Sequence, residues 1–226
     1  MFYSPGLIKA GIPGQPRTIA MFEGLPKGHT TDGRSSIESG SRAPAAPPGR
    51  QFWRNSKWAA FLAAGLLMLA TVAAFSSSFH GVFVFDDQFA ILENLSLRQL
   101  WPLSIPLSPP NDGSPVTGRP LLNLSLAVNY AISQDEIGSY HTANLAIHLV
   151  AALLLFGILL RTFDLPSLRD RWGPHRVPLA LGIALVWAIH PLQTESVTYI
   201  SQRAESLVGL FYLLTLYGFV RGESSA

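Results

Sequence analysis

Eighteen consecutive residues, Trp58 to Phe75, carry no charge. As an α-helix such a run extends about 27 Å at about 1.5 Å per residue, close to the thickness of a bilayer's hydrocarbon core. Further apolar runs follow at residues 141–160, 177–190 and 206–220. The second is interrupted only by His141, Thr142, Asn144 and His148. The third is short enough to be a buried soluble helix, but Pro178 suits a helix start and the neighbouring runs favour a span. Composition agrees, with 48% hydrophobic and 13% charged residues, where soluble domains carry about 25% charged. The expected fold class is an all-α polytopic membrane protein with four transmembrane helices, at about 58–75, 141–160, 177–190 and 206–220.

The charges orient these runs. Before the first run lie eight basic and three acidic residues; residues 76–140 hold two basic and six acidic; residues 161–176 hold four basic and two acidic. Basic residues mark the cytoplasmic side, so both termini are expected inside and residues 76–140 form a long external loop. Residues 1–50 contain eight Gly and seven Pro without a helical or strand period. That composition predicts a disordered cytoplasmic leader preceding a membrane domain over 51–226. The first apolar run starts too late for a signal peptide, and Met21 is a second candidate start. In the external loop, six prolines between Trp101 and Pro120 predict irregular geometry. Leu121, Leu124, Ala127, Val128 and Ala131 then recur at helical spacing, with Asn123 and Ser125 off that stripe. This predicts an amphipathic helix on the outer membrane surface.

The absence of cysteine excludes a disulfide scaffold, a thiolate metal site and a cysteine nucleophile. No P-loop, Rossmann glycine fingerprint, nucleophile elbow or zinc-protease helix is present. With a net charge of +2 explained by topology, no nucleic-acid partner is expected. Three groups of polar residues remain. Asp86 and Asp87 follow the first span, where a carboxylate could take a proton from a hydroxyl or a pair could simply form a solvated cap; crowding is expected to raise one of the two pKa values. His141, Asn144 and His148 are spaced by three and four, on one helical face, either as a site within the membrane or as hydrogen-bond glue between helices. The segment HPLQTESVTYISQRAE holds His190, Glu195, Arg203 and Glu205; Arg203 could bind a phosphate and Glu195 position a substrate, or the segment is a solvated hairpin. Arg119 reads equally as a phosphate ligand or an interfacial anchor. The sequons at Asn94 and Asn123 are matches of low specificity.

Taken together, FVFDDQFAILENLSL, GRPLLNLSLAVNYAI, SYHTANLAIHLVAALLL and WAIHPLQTESVTYISQRAESLVGLFYLL resemble, in order and spacing, the amino-terminal membrane region of the transmembrane and tetratricopeptide-repeat proteins, GT-C type protein O-mannosyltransferase relatives. The resemblance covers residues 80 to 221. It implies transfer of a sugar, mannose in the family, from a polyprenyl-phosphate carrier to protein Ser or Thr hydroxyls on the external face, with no covalently bound cofactor and no assigned metal. Carried over by position, it implies Asp86 and Asp87 as the catalytic acidic pair, one acting as general base. Arg119, His141, His190, Glu195 and Arg203 are implied as contacts for the donor phosphate or as supports for such contacts. Ser139 stands where relatives commonly have glycine. The implied partners are the bilayer, the lipid-linked sugar, an acceptor protein and a missing carboxy-terminal part, and the expected location is a bacterial inner membrane. Family members continue into more membrane helices and repeats of about 34 residues, so a fragment, split product or degenerate copy is expected. The alternatives are a non-catalytic membrane interaction protein and, with least support, a small transporter.

Because the chain has no native thiol, single cysteines test the orientation. In intact cells, Asp112→Cys is expected to react with a membrane-impermeant maleimide added outside, and Asp170→Cys only after permeabilisation. The reverse pattern would overturn the assigned sides.

Overall fold

The computed structural model describes residues 57–223. The leader expected over 1–50 and seven of the eight basic residues before the first run lie outside the described residues. Those that are described form helices joined by turns, with no strand among them. Seven α-helices run α1 (Lys57–Ala74), α2 (Pro120–Ser133), α3 (Ile137–Phe163), α4 (Pro166–Trp172), α5 (Arg176–Ala188), α6 (Gln193–Thr198) and α7 (Arg203–Glu223). Three of them, α1, α3 and α7, are long and apolar enough to cross a membrane. The third apolar run folds as α5, whose 13 residues extend only about 20 Å.

Helix α3 is the axis of the bundle, packing against α1, α5, α6 and α7. It starts earlier than the apolar run because the Glu136 carboxylate accepts the Ser139 backbone N–H at 2.9 Å, satisfying a donor that the first turn leaves open. Arg161 lies in its last turn, where a cation favours the helix dipole. Beside α3, α1 presents Ala59, Ala63, Leu67 and Thr71, each four residues apart and all buried. Helix α5 answers with Ala180, Ala184 and Ala188 at the same spacing. These rows close around Ala152 and Phe156 of α3. Ridges of small residues four apart let two helix backbones approach closely, which is how helices associate where lipid removes the hydrophobic drive between them. Thr71 satisfies its hydroxyl on its own helix, donating to the Leu67 carbonyl at 2.8 Å. The outward faces are large and apolar, with Trp58, Phe61 and Leu69 on α1 and Val208, Tyr212 and Phe219 on α7 exposed.

The segment between α1 and α3 builds a second core of its own. Ala90, Ile91, Leu97 and Val116 pack with Leu122, Leu126 and Ala127 of α2, Tyr140 of α3, and Ile200 and Ala204 near the start of α7. The proline-rich stretch is irregular, as expected. Helix α2 also forms where expected, with Pro120 in its first turn, and three of the five stripe residues face away from this core. Leu121, Val128 and Ala131 are exposed, whereas Asn123 and Asn129 are buried with Leu122, Leu126 and Ala127. The reason is an amide pair. Asn94 Nδ2 donates to Asn123 Oδ1 at 2.8 Å, and Asn123 Nδ2 donates to Ser96 Oγ and to the Pro106 carbonyl, each at 2.8 Å. The two sequon asparagines thus pin the loop to α2, and neither amide is accessible.

The alanine seam carries a stability prediction. Ala63→Leu and Ala184→Leu are each expected to cost about 1–3 kcal/mol by overpacking, whereas Gly65→Ala, with nothing within 4 Å of the added methyl, is expected to be neutral or better. Thermal unfolding of the purified chain in detergent measures both effects.

Candidate functional site

Alternating helix directions bring the end of α1, the start of α3, the end of α5 and the start of α7 to one end of the bundle, where the segment between α1 and α3 caps them. Arg203, the first residue of α7, lies beneath that cap at 1% exposure. Its Nε donates to Asn144 Oδ1 at 2.6 Å, and Nη2 to Asn129 Oδ1 at 2.9 Å and the Tyr140 carbonyl at 3.1 Å. Nη1 reaches the Ser125 carbonyl at 3.3 Å, and the guanidinium carbon lies 5.7 Å from the Tyr140 ring centroid. One side chain thereby joins α2, α3 and α7. Asn144 extends the joint, donating to the Val197 and Tyr199 carbonyls at 3.4 Å.

The acidic doublet is divided by the backbone. Phe85 adopts φ of 45°, a left-handed conformation uncommon for a side chain of its size. The two aspartates that follow take different environments. Asp87 is 1% exposed; its Oδ1 accepts the Ser201 N–H at 2.8 Å and its Oδ2 the Val84 N–H at 3.1 Å. Burial pushes its carboxyl above the usual range, against the pull of those two backbone amides. The predicted rise in one pKa therefore occurs, but its cause is burial rather than crowding by Asp86. Asp86 is exposed. Its backbone N–H points to Tyr199 Oη at 3.4 Å, and it lines a recess with Phe89, Asp112 and Ser114.

The remaining predicted residues also divide into buried and exposed sets. His141 is buried, with neither ring nitrogen hydrogen-bonded. It packs so tightly on Gly81 that a Cβ there would lie 2.7 Å from Nε2, which accounts for the absence of a side chain at position 81. Two turns further into the bundle, His148 Nε2–H donates to the Ala188 carbonyl at 2.8 Å and its ring stacks on Trp187 at 5.1 Å. The stripe His141, Asn144 and His148 faces the interior as its spacing predicts, and the latter two bond between elements. By contrast, Arg119, His190 and Glu195 are exposed. Arg119 lines a largely apolar groove with Leu121, Glu205, Leu207, Val208 and Phe211. His190 Nδ1 accepts the Leu192 N–H at 3.2 Å, and Glu195 lies in the first turn of α6. Asp87, His141 and Arg203 thus gather under the cap, while Asp86 and Arg119 line separate recesses. Among the described residues, no three His, Asp or Glu side chains converge as a metal would require. Asn129, Tyr140 and Ser201 were missing from the sequence reading; the bonds Arg203 makes to the first two and the Asp87 clasp on the third depend on segments distant in sequence.

Fold and polar cluster together define a helical integral membrane protein with its polar groups gathered at one end of the bundle. Over about two thirds of its length the chain is homologous to a part of the TMTC family of protein O-mannosyl-transferases. It is 30% identical over 162 residues to the human protein O-mannosyl-transferase TMTC3, covering 69% of this chain and 16% of that protein. To human TMTC4 it is 32% identical over 163 residues, covering 66% and 22%. A Caenorhabditis elegans protein O-mannosyl-transferase, F38B6.6, is 27% identical over 199 residues, covering 83% and 26%. The chain therefore spans about a sixth to a quarter of the length of the curated relatives it matches. No protein-family model matches the chain, and no solved structure does.

The Arg203 cluster is open to direct test. Lysine offers no planar fork and cannot reproduce four separated contacts. With hydrogen bonds to charged groups worth about 1.5–3 kcal/mol each, Arg203→Lys is expected to destabilise the chain by about 3 kcal/mol or more in thermal unfolding. An unfolding midpoint equal to that of the unmodified chain would show that the joint is dispensable.

Proposed function

We propose that this chain supplies the amino-terminal part of a GT-C type glycosyltransferase, moving mannose from a polyprenyl-phosphate carrier to Ser or Thr hydroxyls of an acceptor protein on the external face of a membrane. The observation that carries the reading is the division of the acidic pair. Asp87 has both carboxylate oxygens bound to backbone amides and holds the loop down, while Asp86 stands exposed beside it. Asp86 is the general base in this reading. It takes the acceptor hydroxyl proton as the hydroxyl oxygen bonds to the sugar's anomeric carbon, and the bond from that carbon to the carrier phosphate breaks. A base must come within about 3 Å of its proton, which an exposed carboxylate can do and one clasped by amides cannot.

The departing phosphate needs a cation. Arg119 is suited to this, since a guanidinium fits phosphate oxygens and the apolar groove it heads can take an isoprenoid chain. His190 and Glu195, exposed on the connector beyond α5, are placed to bind polar parts of the donor or acceptor. His141 and Arg203 act as supports beneath the cap. Four spans complete this reading, with α5 crossing beside α1 and α3, both termini cytoplasmic and the bacterial inner membrane as the location. The site is then completed by a carboxy-terminal part corresponding to the remainder of the longer relatives.

Membranes containing the complete assembly and a radiolabelled polyprenyl-phosphate mannose donor supply the assay. Asp86→Asn is expected to lower transfer by about 100- to 10,000-fold at unchanged abundance, Asp87→Asn to lower abundance, and Glu93→Gln to do neither. If Asp86→Asn transferred mannose at the unmodified rate, the base assignment would fall.

A further inference from the structure

At the end of the bundle opposite the polar cluster, α4 connects α3 to α5 and buries none of its residues. Leu165, at its cap, and Trp172, its last residue, are 41% and 37% exposed. Positions 165, 168 and 172 are separated by three and four residues and so share one helical face, composed of Leu165, Leu168 and Trp172. Arg169 and Arg171 border that face on its two sides, and Asp170 falls opposite it. The Arg171 guanidinium carbon lies 5.0 Å from the Trp172 ring centroid, a cation–π distance that keeps the charge at the edge of the apolar surface. Asp164 is paired with Arg176, so that carboxylate is already engaged. Pro166 begins the helix and the 3-10 turn Gly173–His175 ends it.

From this arrangement we infer that α4 is a headgroup anchor for anionic phospholipid. Leu165, Leu168 and Trp172 enter the interfacial layer of the bilayer, and Arg169 and Arg171 hold lipid phosphates on either side of them. Two features select this occupant. The helix joins the end of the spanning helix α3 to the start of α5, which sets it at the level where a bilayer's headgroups begin, and its apolar face is edged by arginines with the one acidic residue turned away. A short helix with that pattern lies in the interface plane, Trp is favoured at that depth, and guanidinium forks match phosphate oxygens. Each basic residue at an anionic surface contributes roughly 5-fold in affinity.

Native mass spectrometry of the full chain, released from nanodiscs with equal phosphatidylglycerol and phosphatidylcholine, measures the preference. The unmodified chain is expected to retain phosphatidylglycerol selectively. Arg169→Gln with Arg171→Gln should reduce the ratio of the two lipids by roughly 25-fold, and Asp170→Asn should not lower it. The unmodified chain also tests the idea without any substitution, since raising salt from about 0.05 M to about 0.5 M must weaken the preference. Inorganic phosphate at the concentration of the lipid phosphate should leave it unchanged. Equal retention of both lipids by the unmodified chain, a salt-independent ratio, an unaltered ratio in the double variant, or full displacement by inorganic phosphate would each overturn the assignment, the last by making this a site for a free anion.

Discussion

A guanidinium buried among neutral oxygens is the interaction on which this end of the molecule depends. Arg203 begins α7, and its contacts reach Ser125 and Asn129 on α2 and Tyr140 and Asn144 on α3. Removing a charge from water costs several kcal/mol unless it is fully hydrogen-bonded, so the cluster is tolerated only when all three helices are in register. The same cost makes it specific, because a shift of any one helix would leave the charge without partners. Through Asn144 the constraint passes to Val197 and Tyr199, and so to the connector that carries the exposed candidate residues.

The segment between α1 and α3 is tied to this base at three points. Asp87 clasps the Ser201 amide, Ser78 Oγ bonds Thr198 Oγ1 at 3.1 Å, and Asn94 and Asn123 join the loop to α2. A segment of mixed polarity and many prolines could not order itself on its own small core. Fastened in this way it caps the end of the bundle. The two aspartates consequently differ: the buried one holds the loop and the exposed one does not. Burial also raises the Asp87 carboxyl above the usual carboxylate range.

Spacing and polarity made much of this legible. The runs beginning at Trp58 and His141 and the last one, at Ser206, became helices because twenty or so apolar residues have one way to satisfy their backbone in lipid. The interior stripe of His141, Asn144 and His148 followed from three-and-four spacing. The buried polar side of α2 was not legible, for an equally physical reason. Periodicity identifies which residues share a face, but not which face another segment will cover. Here Asn123 and Asn129 have partners on other segments that compensate their burial, while Leu121 and Val128 lie outside, where apolar surroundings carry no penalty. The Asp86–Asp87 doublet was legible as a pair of carboxylates and illegible as one buried and one exposed group, since adjacent identical residues differ only by what the tertiary fold places against them.

What the sequence determined by itself is therefore the helical class, the approximate position of each long helix and the polar residues that cluster at one end, all of which rest on local periodicity and on the cost of exposing backbone to lipid. Only the tertiary structure decided that Arg203 is a buried joint rather than an exposed ligand, that Asp87 is a clasp and Asp86 the open carboxylate, and which face of α2 turns inward. Those outcomes depend on hydrogen-bond partners tens of residues away, such as Asn129 for Arg203 and Ser201 for Asp87. No local pattern encodes such pairs, because the free energy of burying a polar group is set by whether a partner arrives and not by the residues beside it in the chain.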